Sequence, residues 1–200
     1  VTKWEDLKTK EVFIASSGAG SETDVYPRIT NGVLGTIMNV VPGYTGGSSE
    51  GMVAVEKGEA QGIVAIWRTW SSRPDLSALI TPVLAFGNGR EPNVPDVPNL
   101  LELLQNEDHD LLVPFISSIG PIGRALAAPP EVPADRVAAL RTAFATMLKD
   151  PAFLEKLKQF KLDPSTAIPG EELQKIVTEA LDVSPEIVER ARAIVAGTQK

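Results

Sequence analysis

The chain reads as an α/β protein, one lobe on a largely parallel sheet followed by a helical C-terminal part. Three observations predict this. Through the N-terminal part, short apolar runs alternate with segments of helical periodicity. Turns rich in glycine and hydroxyl residues link the first two runs to the helices that follow them. Beyond the proline-rich stretch Ala128–Pro133, every segment carries helical periodicity. The expected division falls at residues 1–122, the α/β lobe, and 123–200, a linker with helices.

The elements follow in order. Trp4 and Leu7 pack while Lys3, Glu5, Asp6 and Lys8 face water, so the chain opens like the interior of a domain. Val12–Ala15 is a buried strand, and it empties through Ser16–Ser21 into a helix marked by Val25, Ile29, Val33 and Leu34. Thr36–Val41 is a second strand, ending in the turn Pro42–Ser49. A helix from Glu50 to Lys57 follows, with Gly58 as its stop. Gly62–Trp67 is a third strand and Leu79–Phe86 a fourth, which Pro82 confines to an edge or bulge. Pro98–Gln105 begins another helix.

Ala128–Pro133 reads as an extended linker, because proline biases its neighbours away from helix. Asp135–Lys149 carries Val137, Leu140, Phe144 and Met147 on one face. Asp150-Pro151 and Ser184-Pro185 are cap-plus-proline starts. They open helices lined by Leu154, Leu157 and Phe160, and by Ile187, Val188, Ala191, Ile194 and Val195. Between them, Gly170–Leu181 presents Leu173, Ile176, Val177 and Ala180.

Composition removes several functions. A net charge of −7 with scattered Lys and Arg leaves no basic stripe for nucleic acid. The chain has no cysteine, which excludes disulfides, thiolate chemistry and Cys-based metal sites. No carboxylate cluster has metal spacing, so neither a metal nor a cofactor is expected. The single histidine, His109, sits in the acidic run Glu107–Asp110 and has no nucleophile to pair with. No catalytic residue is therefore assigned, and the chain is expected not to be an enzyme.

The turn Ser16–Ser21 is the leading candidate site. A strand entering a helix through such a turn aims backbone N–H groups and the positive end of the helix dipole at one point. That is a place to hold an anion. The candidate donors are the N–H groups around Gly18, Ala19, Gly20 and Thr23 and the hydroxyls of Ser16, Ser17 and Ser21. The alternative is an ordinary βα turn, with glycines relieving strain and serines capping the helix. Thr23 stands where a dinucleotide fingerprint needs its third glycine, and no Gly-Lys-Ser/Thr closes a P-loop.

Pro42–Ser49 is the second candidate, through Tyr44, Gly46, Gly47 and Ser48, against the alternative of a flexible turn. Adjacent βα turns share the carboxyl edge of a parallel sheet, where ligands bind. Trp67, Arg68 and Trp70 lie just past the apolar run of the third strand, at its carboxyl end; core packing for the tryptophans and a solvated surface for Arg68 are the competing readings.

The order strand–SSGAGS–helix, strand–PGYTGG–helix with VEKGEAQG, then DVP, then APPEVPADRVAALRTAFATMLKDPAFLEKLK resembles one receptor family. It is similar to the solute-binding receptors of tripartite tricarboxylate transporters, the Bug proteins. The most specific part is Ala128–Lys158. The resemblance implies a type II periplasmic-binding-protein-like fold of two α/β lobes with the ligand between them. The two glycine turns would belong to a largely complete second lobe and contact a ligand carboxylate. The helices after Pro133 would belong to a partial first lobe.

The resemblance further implies a periplasmic receptor that captures small organic carboxylates for the membrane components of a transporter. Family members look longer at the N-terminus, so the chain is expected to be N-terminally truncated and prone to self-association. Gln61 stands where many relatives carry aspartate after Gly-Glu-x. The main alternative is the effector-binding domain of a LysR-type transcriptional regulator, which shares the two-lobed design. An enzyme built on the same fold is a further one.

Overall fold

The computed structural model describes residues 1–71, 74–87, 89–104, 118, 120, 122, 125–160, 164 and 167–196. The chain forms two compact units, Val1–Ser117 with Val183–Lys200, and Ser118–Asp182.

A parallel sheet of order β2-β1-β3 lies at the centre of the first unit. Its strands are β1 (Val12–Ser16), β2 (Met38–Pro42) and the two-residue β3 (Gly62–Ile63). β1 pairs with β2 along its whole length, from Val12 opposite Met38 to Ser16 opposite Pro42. It meets β3 only at Ile14–Gly62 and Ala15–Ile63. Gln61 extends that edge by bonding both backbone groups of Phe13: its N–H donates to the Phe13 carbonyl at 2.9 Å, and its Oε1 accepts the Phe13 N–H at 2.7 Å.

Alternation along β1 builds two cores, since successive side chains leave opposite faces of a strand. Val12 and Ile14 join Leu7, Met38 and Val83. Ala15 joins Ala54 and Ala60, with Tyr44 and Val55 packed on them. Helix α1 (Glu22–Leu34) crosses from β1 to β2, and α2 (Ser48–Glu56) crosses back from β2 to β3. Gly51 lets α2 lie directly on the sheet: a Cβ there would stand 2.4 Å from Cδ1 of Ile63 and 3.3 Å from Cβ of Ala15. Asn31 locks the end of α1 to the start of β2, accepting from the Met38 N–H at 3.0 Å and donating to the Met38 carbonyl at 2.7 Å.

Several sequence expectations change here. The third strand stops at Ile63, one register position short of Ser16, the last residue of β1, which pairs only with Pro42 on its other side. Trp67 therefore does not follow a strand. It opens α3 (Trp67–Ser71), and α4 (Pro74–Ser77) comes next. The fourth strand does not form. Pro82 has no N–H to donate to a ladder, and only Ala85 makes a bridge, to Asn99. The helix expected from Pro98 reduces to α5 (Leu100–Leu103), capped by the Asn99 side chain on the Leu101 N–H at 2.9 Å.

In the second unit, Ala128–Pro133 is not extended throughout. Pro130-Glu131 turns, with Glu131 at φ 70°, the type II pattern of proline before a positive φ. The helices α6 (Ala134–Met147), α7 (Pro151–Gln159) and α8 (Gly170–Leu181) form as expected. Asp150 caps α7 through the Phe153 N–H at 2.8 Å. Arg141 ties α6 to α8 by donating to Gln174 Oε1 at 2.7 Å. The apolar stripes are only half-covered: Leu140 is 60% and Phe160 73% exposed, so neither is a core residue.

The last helix, α9 (Pro185–Ala196), packs on α1 in the first unit. Ile194 is buried against Gly32, where a Cβ would come within 2.6 Å of its Cγ2. Among the described residues no helix is long and apolar enough to cross a membrane.

Candidate functional site

Parallel pairing of β1 and β2 places both glycine turns at the same edge of the sheet. They are also bonded to each other, since the Tyr44 N–H donates to the Ser16 carbonyl at 3.1 Å. The two crossovers leave this edge in opposite directions along the sheet, the kind of reversal beside which open α/β sheets bind ligands.

The first turn is organised around the side chain of Thr23, a residue expected from the sequence to offer only its backbone N–H. Thr23 is buried, and its Oγ1 accepts the Ser17 N–H at 2.9 Å. The same oxygen lies 3.1 Å from Ser17 Oγ and 2.8 Å from Ser21 Oγ. Each hydroxyl carries one proton. Ser21 donates its proton to the Gly18 carbonyl at 2.7 Å, so Thr23 donates to Ser21 and Ser17 donates to Thr23. Ser16 is fully buried, and its Oγ accepts the Gly18 N–H at 3.1 Å. The serine hydroxyls expected to face a ligand are thus engaged within the turn.

The network leaves the backbone free. Ser21 is the N-cap residue of α1, yet its side chain makes no capping bond. The N–H groups of Ala19, Gly20, Glu22 and Thr23 have no acceptor among the described residues. Gly18 at φ 125° and Gly20 at φ 81° hold backbone shapes that residues with a Cβ rarely adopt. Ala19, Gly20 and Glu22 are exposed, so three of these donors at the positive end of α1 border solvent, and Thr23 is buried behind them.

The second turn is closed in a different way. Besides Tyr44, Thr45 donates to the Gly43 carbonyl and Gly47 to the Tyr44 carbonyl. The Gly46 N–H goes to a carboxylate, Glu50 Oε2, at 2.6 Å. The unpartnered amides on this side, among the described residues, are those of Ser48, Ser49 and Glu50 in the first turn of α2. Tyr44 is half-buried on the alanine core.

Charge around the two turns is one-sided. Residues 16–24 and 42–50 include Glu22, Asp24 and Glu50 and no Lys, Arg or His. Asp24 is paired with Arg28 at 3.0 Å. Burial pushes the Tyr26 phenol up to about 12, and the Glu22 charge adds to the shift. Tyr26 stacks on Phe86 with centroids 4.4 Å apart. Among the described residues no group of three His, Cys, Asp or Glu could hold a metal ion.

Trp67 is half-buried, and its ring meets Trp70 edge-on at 4.6 Å. The Arg68 side chain and His109 lie outside the described residues. The Thr23 hydroxyl and the Glu50 carboxylate are the side-chain groups that sequence reasoning passed over as site builders. The only signal was spacing: Thr23 two residues past the N-cap, and Glu50 three past Gly47.

No protein-family model matches the chain, and no curated protein matches it significantly. Among solved structures it is similar to "R. palustris Rpa4515 with adipate", at 17% identity and a TM-score of 0.56. The match covers 98% of this chain and 62% of that one, so this chain spans less than two thirds of its neighbour's length. The likeness is one of fold.

Proposed function

We propose that the chain is a non-enzymatic receptor for small organic carboxylates, acting in the periplasm and delivering its ligand to a tripartite tricarboxylate transporter. In this reading it carries a type II periplasmic-binding-protein-like lobe. A ligand carboxylate sits at the first turn, on the exposed N–H groups of Ala19, Gly20 and Glu22. The observation that carries the reading is that open row of amides at the start of α1. Charge-assisted bonds from backbone N–H groups to a carboxylate are among the stronger hydrogen bonds. The adipate with which the similar structure is described supports the ligand class.

The test is calorimetric titration of the chain with adipate and with shorter mono- and dicarboxylates. Glu22 is the first residue of α1, and Ser21 before it has ψ 158°, a conformation that precedes proline readily. Glu22→Pro therefore removes one amide donor while keeping the helix start. Glu22→Gln controls for the lost charge. Binding by Glu22→Pro weaker than by Glu22→Gln, by about tenfold to a hundredfold, is expected. Equal affinity removes the first turn from the site, and no binding of any carboxylate overturns the reading.

A further inference from the structure

The second turn already holds a carboxylate, and it is the protein's own. Glu50 Oε2 accepts the Gly46 N–H at 2.6 Å. Gly46 is shaped for this contact. A Cβ there would lie 3.0 Å from Cβ and 3.1 Å from Oε2 of Glu50, so the glycine lets the side chain fold back over its own turn. Its φ is not in the left-handed range, so room for Glu50 is what the glycine supplies. Glu50 is exposed, and no cation pairs with it among the described residues.

We infer that Glu50 sets the ligand class of the site: it favours a monocarboxylate whose far end is a neutral donor and opposes a second carboxylate. This rests on the carboxylate-receptor reading above. The turns are joined through Tyr44 and Ser16, so a ligand anchored at the first turn extends beside the second. There it meets the exposed carboxylate of Glu50 and a Gly46 N–H that is already occupied, beside the open amides of Ser48, Ser49 and Glu50. Glu22 adds to the negative field, and neither turn contains a basic side chain to balance a dianion. Like charges brought together across a binding surface are strongly unfavourable. An amide or hydroxyl end can instead donate to the free acceptor positions of the Glu50 carboxylate.

Adipate and its monoamide, adipamate, share one chain length and differ by a single charge, which makes them the probes. Calorimetry on the unaltered chain is expected to show tighter binding of adipamate. Glu50→Gln keeps an oxygen acceptor for Gly46 and removes the charge, and it should move the preference toward adipate by about tenfold or more. Glu50→Ala should move it in the same direction. Tighter binding of adipate by the unaltered chain overturns the inference without any variant. So does an unchanged preference in Glu50→Gln, and both outcomes leave the receptor reading standing. Failure to bind either probe, or any other carboxylate, overturns the receptor reading beneath it.

Discussion

The backbone N–H of Tyr44 donates to the carbonyl of Ser16 across 3.1 Å, and this bond fastens the second glycine turn to the first. Each residue stands at or just past a strand end, Ser16 closing β1 and Tyr44 following β2. Parallel pairing brings the two ends to one edge, and the bond sets their spacing. Two turns far apart in sequence become one surface with unequal halves. The first keeps its loop amides open, whereas the loop of the second closes on itself and on Glu50, leaving open among the described residues the amides of Ser48, Ser49 and Glu50 at the start of α2.

Thr23 is the residue on which the open half depends. Thr23→Val keeps the shape and removes the hydroxyl, leaving the Ser17 N–H without its acceptor. The expected cost is about 1–3 kcal/mol in urea unfolding. Thr23→Ser should recover most of it. Equal stability of Thr23→Val and the unaltered chain would show that the hydroxyl network is dispensable.

Gly32 and Ile194 join α1 to α9. Helix propensity alone says that Gly32→Ala should stabilise α1 by about 1 kcal/mol. The structure reverses the sign, because the new Cβ would lie 2.6 Å from a branched methyl close to the α9 backbone. A loss of about 1–3 kcal/mol is expected. Ile194→Ala alone should cost about 2–5 kcal/mol. In the double variant the clash disappears, so the two changes should cost less than their sum, as a thermodynamic cycle will measure.

Asn99 is fully buried and organises the segment before α5. Its Nδ2 donates to the carbonyls of Gly87 and Gly89 at 3.1 and 2.5 Å, while Oδ1 caps Leu101. Asn99→Asp turns those two donor contacts into oxygens facing oxygens. It should be destabilised by about 2–4 kcal/mol in urea titrations, at least as much as Asn99→Ala. A neutral Asn99→Asp would contradict this account.

Two groups predict opposite pH limbs. The folded state holds the Tyr26 proton up to about 12, above the ordinary value of 10.0, so it binds more protons than the unfolded chain in that window. Stability from Tyr26 is complete below the lower value and is lost as pH rises to the upper one, on the order of 2–3 kcal/mol in all. Tyr26→Phe should flatten that alkaline limb. Glu102 is the reverse case. Its hydrogen bonds to Arg90, one of them at 2.6 Å, hold the carboxyl below the usual carboxylate range. Its contribution is present at neutral pH and disappears as pH falls through the lowered value. Glu102→Gln should differ from the unaltered chain at neutral pH and converge with it in acid.

Local patterns carried well where a contact lies close in sequence. Asp150 capping α7, Gly58 closing α2 and the helix over Gly170–Leu181 all rest on neighbours a few residues apart. The strands were less legible, because a strand needs a partner that the run itself does not reveal. Leu79–Phe86 has a strand's composition, but only Ala85 finds a bridge. Gly62–Trp67 looks like a full strand, but its ladder ends at Ile63, one residue before β1 does. The site was half-legible. Glycine and serine marked the turns, but nothing in a list of hydroxyls says whether they face outward or each other.

The α/β class of the lobe, the two βα turns and the helical C-terminal part were legible in the sequence alone. Those properties are written in periodicity and turn chemistry, which are local. Only the tertiary structure decided which donors remain open. Thr23, Ser17 and Ser21 meet through the fold of one turn, Ser16 and Tyr44 meet through strand pairing, and Glu50 reaches back to Gly46. Hydrogen bonds are allotted by geometry, and a donor is free only when every nearer acceptor has been taken or turned away.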